Sequence, residues 1–338
     1  MIKKVLIGLL LTIIVIAAYN WELCQYGYFQ AKGQIKVIVE SRPIDEFIND
    51  PEFPDSLKVK LQLTKKIRQY AIDSLGLNNS SNYTKLFDQE GKTILWNLSA
   101  SESYALNAYE WEFPFLGAMP YKGFFDLDKA RAESESLSAL GFDTRVRPVG
   151  GWSTLGILSD PILSNMLNRS DGALADVIIH ELTHATLFVK GDISFNENLA
   201  SFVGEKGAES FLKQSFGDSS QQFSEYLQSK EDQQLFTKIL LNGAKQLDSL
   251  YNSMTSIAEE DKARKKKEAI EQIVFGIKDA DFHNTNYQEV FDDQLPNNAY
   301  FMAQRRYHSQ EDTLNLLFAK NQGSIKLMIE DLKKQHGK

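Results

Sequence analysis

The chain has 338 residues, 43% of them hydrophobic and 24% charged, which is enough apolar mass for a sizeable core. A formal net charge of -8 excludes nucleic acid as the main partner, because a phosphate backbone asks for a basic surface. The single cysteine, Cys24, excludes an intramolecular disulfide and a cysteine-rich zinc site, so any metal must be held by histidine and carboxylate, and only five histidines exist.

Lys3 and Lys4 precede an uncharged run over 5–19, VLIGLLLTIIVIAAY, the layout of a secretory targeting segment. Ile2 and Asn20–Trp21 extend the run toward the ~20 residues of a membrane span, with Trp21 at the interface. Small residues are missing from the positions that precede a cleavage site, which favours an uncleaved signal anchor over residues 1–21. The two lysines then stay cytoplasmic, and residues 22–338 stand on the extracytoplasmic (periplasmic) side of the cell membrane. The alternative is secretion after cleavage. Cys24 reads as a spare thiol, since Trp21-Glu22-Leu23 lacks the small residues of a lipoprotein processing site.

Residues 26–75 read as helical, broken by Pro43, Pro51 and Pro54, and NNSSNY is a loop. TILWNLS at 93–99 reads as a strand. WEFPFLGAMPYKGFF reads as a structured loop near a site, being rich in Gly, Pro and aromatics. A charged amphipathic helix over 126–140 and a strand over 143–149 follow. Two central helices are expected at 173–189 and 196–212, then a helical hairpin over 219–280 with i,i+4 pairs such as Glu260–Arg264 and Asp261–Lys265. Its basic run ARKKKEAIEQ reads as a solvated face. The loop DDQLPNN leads to helices over 298–306, 309–320 and 323–336. The expected fold class is α+β, mostly helical, with a small sheet upstream of the central helices. Residues 22–338 are expected to form one domain that carries the hairpin as an insertion.

The informative motif is His180-Glu181-Leu182-Thr183-His184. On a helix, i and i+4 share a face, so both imidazoles reach one ion from a single rigid element. Zinc accepts neutral nitrogen donors and in catalytic sites keeps one position open for water. Glu181 directly follows the first histidine and is expected to take a proton from a zinc-bound water as it attacks a carbonyl. Val177, Ile178, Ile179, Leu182, Leu187 and Phe188 surround the motif, and polar groups on so apolar a helix are costly without a partner. A third ligand is needed. Glu197 is preferred, at the start of a second helix capped by Asn196 after the turn Lys190-Gly191-Asp192. Glu205, two turns on, competes, and Asp192 reads as a turn residue.

HELTH followed by Asn196-Glu197 on the next helix resembles the gluzincin metallopeptidases. The run HELTHATLFVKGDISFNENLASFVGEKG is similar to the bacterial predicted zinc aminopeptidase family. The similarity extends to WEFPFLG, to YKGFF at 121–125, to GGWSTLGILSDPIL at 150–163, and to Asn297-Asn298-Ala299 and Tyr307, so that it covers residues 25–320. The resemblance implies a zinc peptidase fold, Zn2+, peptide substrates, and Tyr307 as the group that stabilises the tetrahedral intermediate, with Tyr121 and His308 as other candidates. Two departures stand out. Aminopeptidases of that type bind the substrate amine with a glutamate on an upstream strand, and residues 150–154 hold no acid, which leaves exo or endo action open. Thermolysin-like proteins carry an aspartate four residues after the ligand glutamate, where this chain has Ser201; Asp176 reads either as its replacement beside His180 or as an exposed helix residue. GGWSTLG reads either as a strand that pairs with an extended peptide or as a plain strand end.

The sequence therefore points to a zinc-dependent, aminopeptidase-like peptidase with metal ligands His180, His184 and Glu197 and catalytic residues Glu181 and Tyr307. The alternative is a non-enzymatic envelope protein with a structural zinc and a partner-binding hairpin. Oligomeric state is not legible.

Overall fold

The structure, a computed structural model, describes residues 19–114, 117–150, 159–254, 257–306 and 311–336. Most of the expected anchor, GGWSTLG beyond Gly150, Tyr307 and His308 lie outside the described residues. No helix of the described residues is long and apolar enough to cross a membrane.

The fold is mostly helical α+β with small sheets. The chain opens with α1 (Trp21–Glu40), β1 (Arg42–Pro43), α2 (Ile44–Asn49) and α3 (Asp55–Asp73). The strands β2 (Lys85–Phe87), β3 (Trp96–Glu102), β4 (Trp111–Phe113), β5 (Gly117–Met119) and β6 (Lys122–Phe124) follow, then α4 (Leu127–Ala139), β7 (Phe142–Pro148) and β8 (Ile162–Leu163). A short 3-10 turn leads to the central helices α5 (Asp171–Thr186) and α6 (Ile193–Phe216). The hairpin is α7 (Gln221–Asn252) and α8 (Glu259–Lys278), and α9 (Asn286–Glu289), α10 (Asn298–Arg306), α11 (Glu311–Lys320) and α12 (Ile325–Gln335) end the chain.

β3 is the centre of one sheet, antiparallel to β6 and, from Trp96↔Pro148 to Glu102↔Phe142, to β7. β1, β2 and β8 form a second sheet, and β4 and β5 a hairpin. The segment WEFPFLGAMPYKGFF, expected as a loop near a site, thus contains β4, β5 and β6. Trp111 and Phe124 are buried with Leu98 and Ala100 of β3, in a cluster separate from the one that holds the motif helix. The hairpin ion pairs also differ from expectation. Arg264 bonds Asp261 and Glu268, each at 3.0 Å, because its forked head spans neighbours on both sides.

The core that positions the motif is built by α3, α5, α6 and α12. Leu174, Ile178, Ile179 and Leu182 on α5 are fully buried, each contributing about 1.5–3 kcal/mol. Close helix contact is permitted by glycines on α6. A Cβ at Gly204 would lie 2.7 Å from Asp176 Oδ1, 2.9 Å from its carbonyl oxygen and 3.1 Å from His180 Cβ. One turn on, Gly207 leaves room for Ile179. Far from the site, Asn298 is fully buried and its amide donates to the carbonyls of Glu102 and Ser103, tying α10 to the end of β3.

Gly204→Ala is expected to lose about 1–3 kcal/mol in denaturant unfolding, because a backbone oxygen cannot yield as a flexible side chain can. Gly276→Ala, where the nearest atom is 4.0 Å away, is the control. It should be neutral or gain about 0.5–1 kcal/mol from helix propensity.

Candidate metal centre

Ser170 caps α5, its side chain accepting from Ala173 N–H. The helix runs through the motif to Thr186 and stops there, three residues short of the expected Val189. Thr183 and Thr186 bond back to the carbonyls of Ile179 and Leu182, and the Thr186 hydroxyl accepts from Asn78 N–H. These bonds hold the end of the motif helix against the loop after α3.

The turn between the helices is closed by side chains. Asp192, not Asn196, caps α6, accepting from Phe195 N–H at 2.9 Å, so the helix begins at Ile193 rather than Glu197. Asn196 sits inside the first turn with its amide facing backward. It accepts from Val189 N–H and donates to Val189 C=O, both at 2.8 Å. This two-way clasp satisfies both polar groups of Val189 and fixes where the next residue, Glu197, meets α5.

His180, His184 and Glu197 come together: one ligand atom from each lies within 4.8 Å of the others. The two Nε2 atoms are 3.2 Å apart, close to the roughly 3.3 Å expected of two nitrogens about 2.0–2.1 Å from one tetrahedral ion. Glu197 Oε2 is 3.8 Å from His180 Nε2, and Oε1 is 3.7 Å from His184 Nε2. Burial lowers the His180 pKa to about 3, with His184 adding to the shift, and burial lowers that of His184 to about 4. Both rings are therefore neutral at ordinary pH, the form that binds a metal. His184 is nearly closed off at 3% side-chain exposure, whereas His180 and Glu197 keep 19% and 18%, so the cluster opens on one side. Among the described residues His184 Nδ1 meets no hydrogen-bond acceptor.

The competing acid is occupied elsewhere. Glu205 is bonded by Lys230 of α7. Asp176, one turn before His180, is neither an exposed helix residue nor seen bonded to a histidine. Its carboxylate accepts from Tyr226 Oη at 3.0 Å and lies 3.7 Å from Lys230 Nζ. Burial raises the Asp176 pKa to about 6 against the opposing pull of Lys230. Asn198, Ser201 and Glu205 line a small cavity of about 100 Å3 that starts one residue beyond Glu197. A larger groove of about 1140 Å3, between α1 and α4, is not lined by any of the three metal-cluster residues.

Sequence reasoning missed Tyr83. It is buried in the core shared with the motif helix and holds a left-handed φ of 59°, uncommon for a bulky residue. Burial first, then the Glu181 carboxylate, then Asp160, raise its pKa well above the ordinary value. The loop NNSSNY gives no sequence signal for it. Tyr121 lies between β5 and β6, half-buried.

A family model described as "Putative aminopeptidase" matches residues 25–337. No curated protein and no solved structure matches the chain.

The depressed histidine pKa values have a consequence for stability. Below about 6.5 the unfolded chain takes up protons that the folded, metal-free rings refuse until about pH 4 and about pH 3. Stability of the chelator-treated protein should therefore fall as pH drops through that window. Asp176 works in the opposite direction, favouring the folded state as pH falls below about 6. Urea titrations from pH 7 to 4 should show a shallower loss for His180→Ala/His184→Ala than for the parent. Equal slopes would contradict the assignment.

Proposed function

The chain belongs to the putative aminopeptidase family, and from that premise we propose that it is a zinc-dependent peptidase of gluzincin type. It acts on peptides outside the cytoplasm, held at the membrane by an anchor over residues 1–21. The observation that carries this reading is the convergence of His180, His184 and Glu197, with Glu181 next in sequence to the first of them.

The donor set suits zinc, with two neutral imidazole nitrogens and one carboxylate. Held there, zinc would supply Lewis acidity, polarising a scissile carbonyl and making a water acidic near neutral pH. The chain's own residues do the rest. Glu181 projects from the same rigid helix as both histidines and is the general base, taking a proton from the attacking water and passing it to the leaving amine. His184 anchors the buried side of the cluster, while the exposed edges of His180 and Glu197 face the side from which a substrate enters. Tyr307, or Tyr121 or His308 in its place, donates to the oxygen that becomes negative in the tetrahedral intermediate. Removal of a peptide's first residue is the family-level expectation. The acid that would hold a substrate amine does not come from residues 150–154.

A structural zinc in a non-enzymatic envelope protein is the weaker reading. Structural sites close with four protein ligands, and only three donors converge among the described residues.

Metal analysis of the purified chain should find about one zinc, lost in His184→Ala and in Glu197→Ala and kept in Glu205→Ala. Retained zinc in Glu197→Ala would remove it as a ligand. Glu181→Gln should keep the metal and reduce peptide hydrolysis by a factor of roughly 10²–10⁴. Full activity of Glu181→Gln on a cleaved peptide would refute the mechanism.

A further inference from the structure

Helix α1 is apolar on two opposite sides. One side packs on the protein. Val37 is buried, Tyr26 lies 5.7 Å from the Phe113 ring and 5.8 Å from that of Phe124, and Tyr26 and Gln30 both donate to Gly123 C=O. Gly33 is so close that a Cβ there would stand 2.2 Å from the Phe125 ring.

The other side faces outward. Trp21, Cys24, Tyr28, Ala31, Ile35 and Val39 fall within an arc of about 80° at 3.6 residues per turn. Trp21 is 64% exposed, Tyr28 63%, Ile35 59% and Val39 74%, and Cys24 is exposed as well. A helix that packs one apolar side and leaves a continuous apolar stripe exposed on the other presents a contact surface there.

The spacing and the flanking charges identify what covers it. Trp21, Tyr28 and Ile35 repeat every seven residues, and Cys24, Ala31 and Ile38 stand three after each. These are the a and d positions of three heptads, the spacing of a helix that supercoils on another helix; contact with lipid asks for no fixed repeat. The flanking e and g positions are Gln25, Lys32 and Val39, and Gly27 and Gln34. In a parallel pair of identical helices Lys32 meets Gly27 and Val39 meets Gln34, so no like charges oppose each other. Small residues at two d positions leave room for the large side chains at a. The seam runs about 26 Å from Trp21 to Ile38.

We propose that this face joins two copies of the chain as a parallel coiled coil along α1. The proposal is independent of the metal reading, and its test has its own readouts. The full chain in detergent should sediment as a dimer. Tyr28→Glu combined with Ile35→Glu should weaken association by ~tenfold or more while leaving helix content unchanged. Register is tested by thiols. With copper-phenanthroline in air, two facing thiols give up two electrons and two protons to dioxygen and form a disulfide between copies. Cys24 should cross-link in the parent and fail to do so in Cys24→Ser. In that cysteine-free background Tyr28→Cys and Ile35→Cys should restore cross-linking, whereas Glu22→Cys and Glu40→Cys, on the flank, should not. A monomer at all concentrations would overturn the proposal. So would equal cross-linking from the flank positions, or no self-cross-linking at the seam, the result expected if the face lay on lipid or on a different protein.

Discussion

The close crossing of α5 and α6 is the constraint on which the rest depends. Glu197 meets two histidines of another helix only because Gly204 lets α6 lie against the Asp176 backbone and the His180 Cβ. The Asn196 clasp sets the phase of α6 at its start, and Gly204 and Gly207 set its distance two and three turns later. A Cβ at Gly204 would press on the Asp176 carbonyl oxygen and the His180 Cβ, so the two helices could not approach as closely. Under the proposed reading, donors held from two such elements would need little further ordering on binding an ion, which is the physical content of preorganisation.

The hairpin is tied to this crossing rather than appended to it. Tyr226 and Lys230 of α7 reach the Asp176 carboxylate, Lys230 also engages Glu205, and Gly172 at the start of α5 accommodates the Tyr226 ring. Buried charges of this kind stabilise little in net terms, yet breaking one partner leaves another uncompensated. The network therefore fixes the orientation of α7 on α5 and α6 more than it adds to their stability. It also engages Glu205 away from the His180–His184–Glu197 cluster.

What was legible in the sequence follows from range. HELTH was legible because i,i+4 geometry is local, and the hairpin because long stretches without breakers are local too. Glu197 could be chosen by residue type and turn length, but the helix start was misplaced by four residues. The deciding bonds are the Asp192 cap and the backward-facing Asn196 amide, and either residue could have served as cap. The fate of Glu205 depends on Lys230, 25 residues on in another helix, so no local pattern exposes it. The strands β4, β5 and β6 are three residues each, too short to show a period of two among so many aromatics. In α1 both apolar faces are present in the sequence, but only packing shows which one the protein itself uses.

The charge balance around the cluster gives the last step. Glu181, Glu197, Asp176 and Glu205 place four carboxylates on two adjacent helices; Lys230 faces both Asp176 and Glu205, and Arg169 acts on Asp176. Burial keeps both imidazoles neutral at ordinary pH, so the histidines add no positive charge beside these acids. Burial raises the Asp176 pKa to about 6, against the opposing pull of Lys230 and Arg169. The proposed divalent cation, held by His180, His184 and Glu197, would bring positive charge among them.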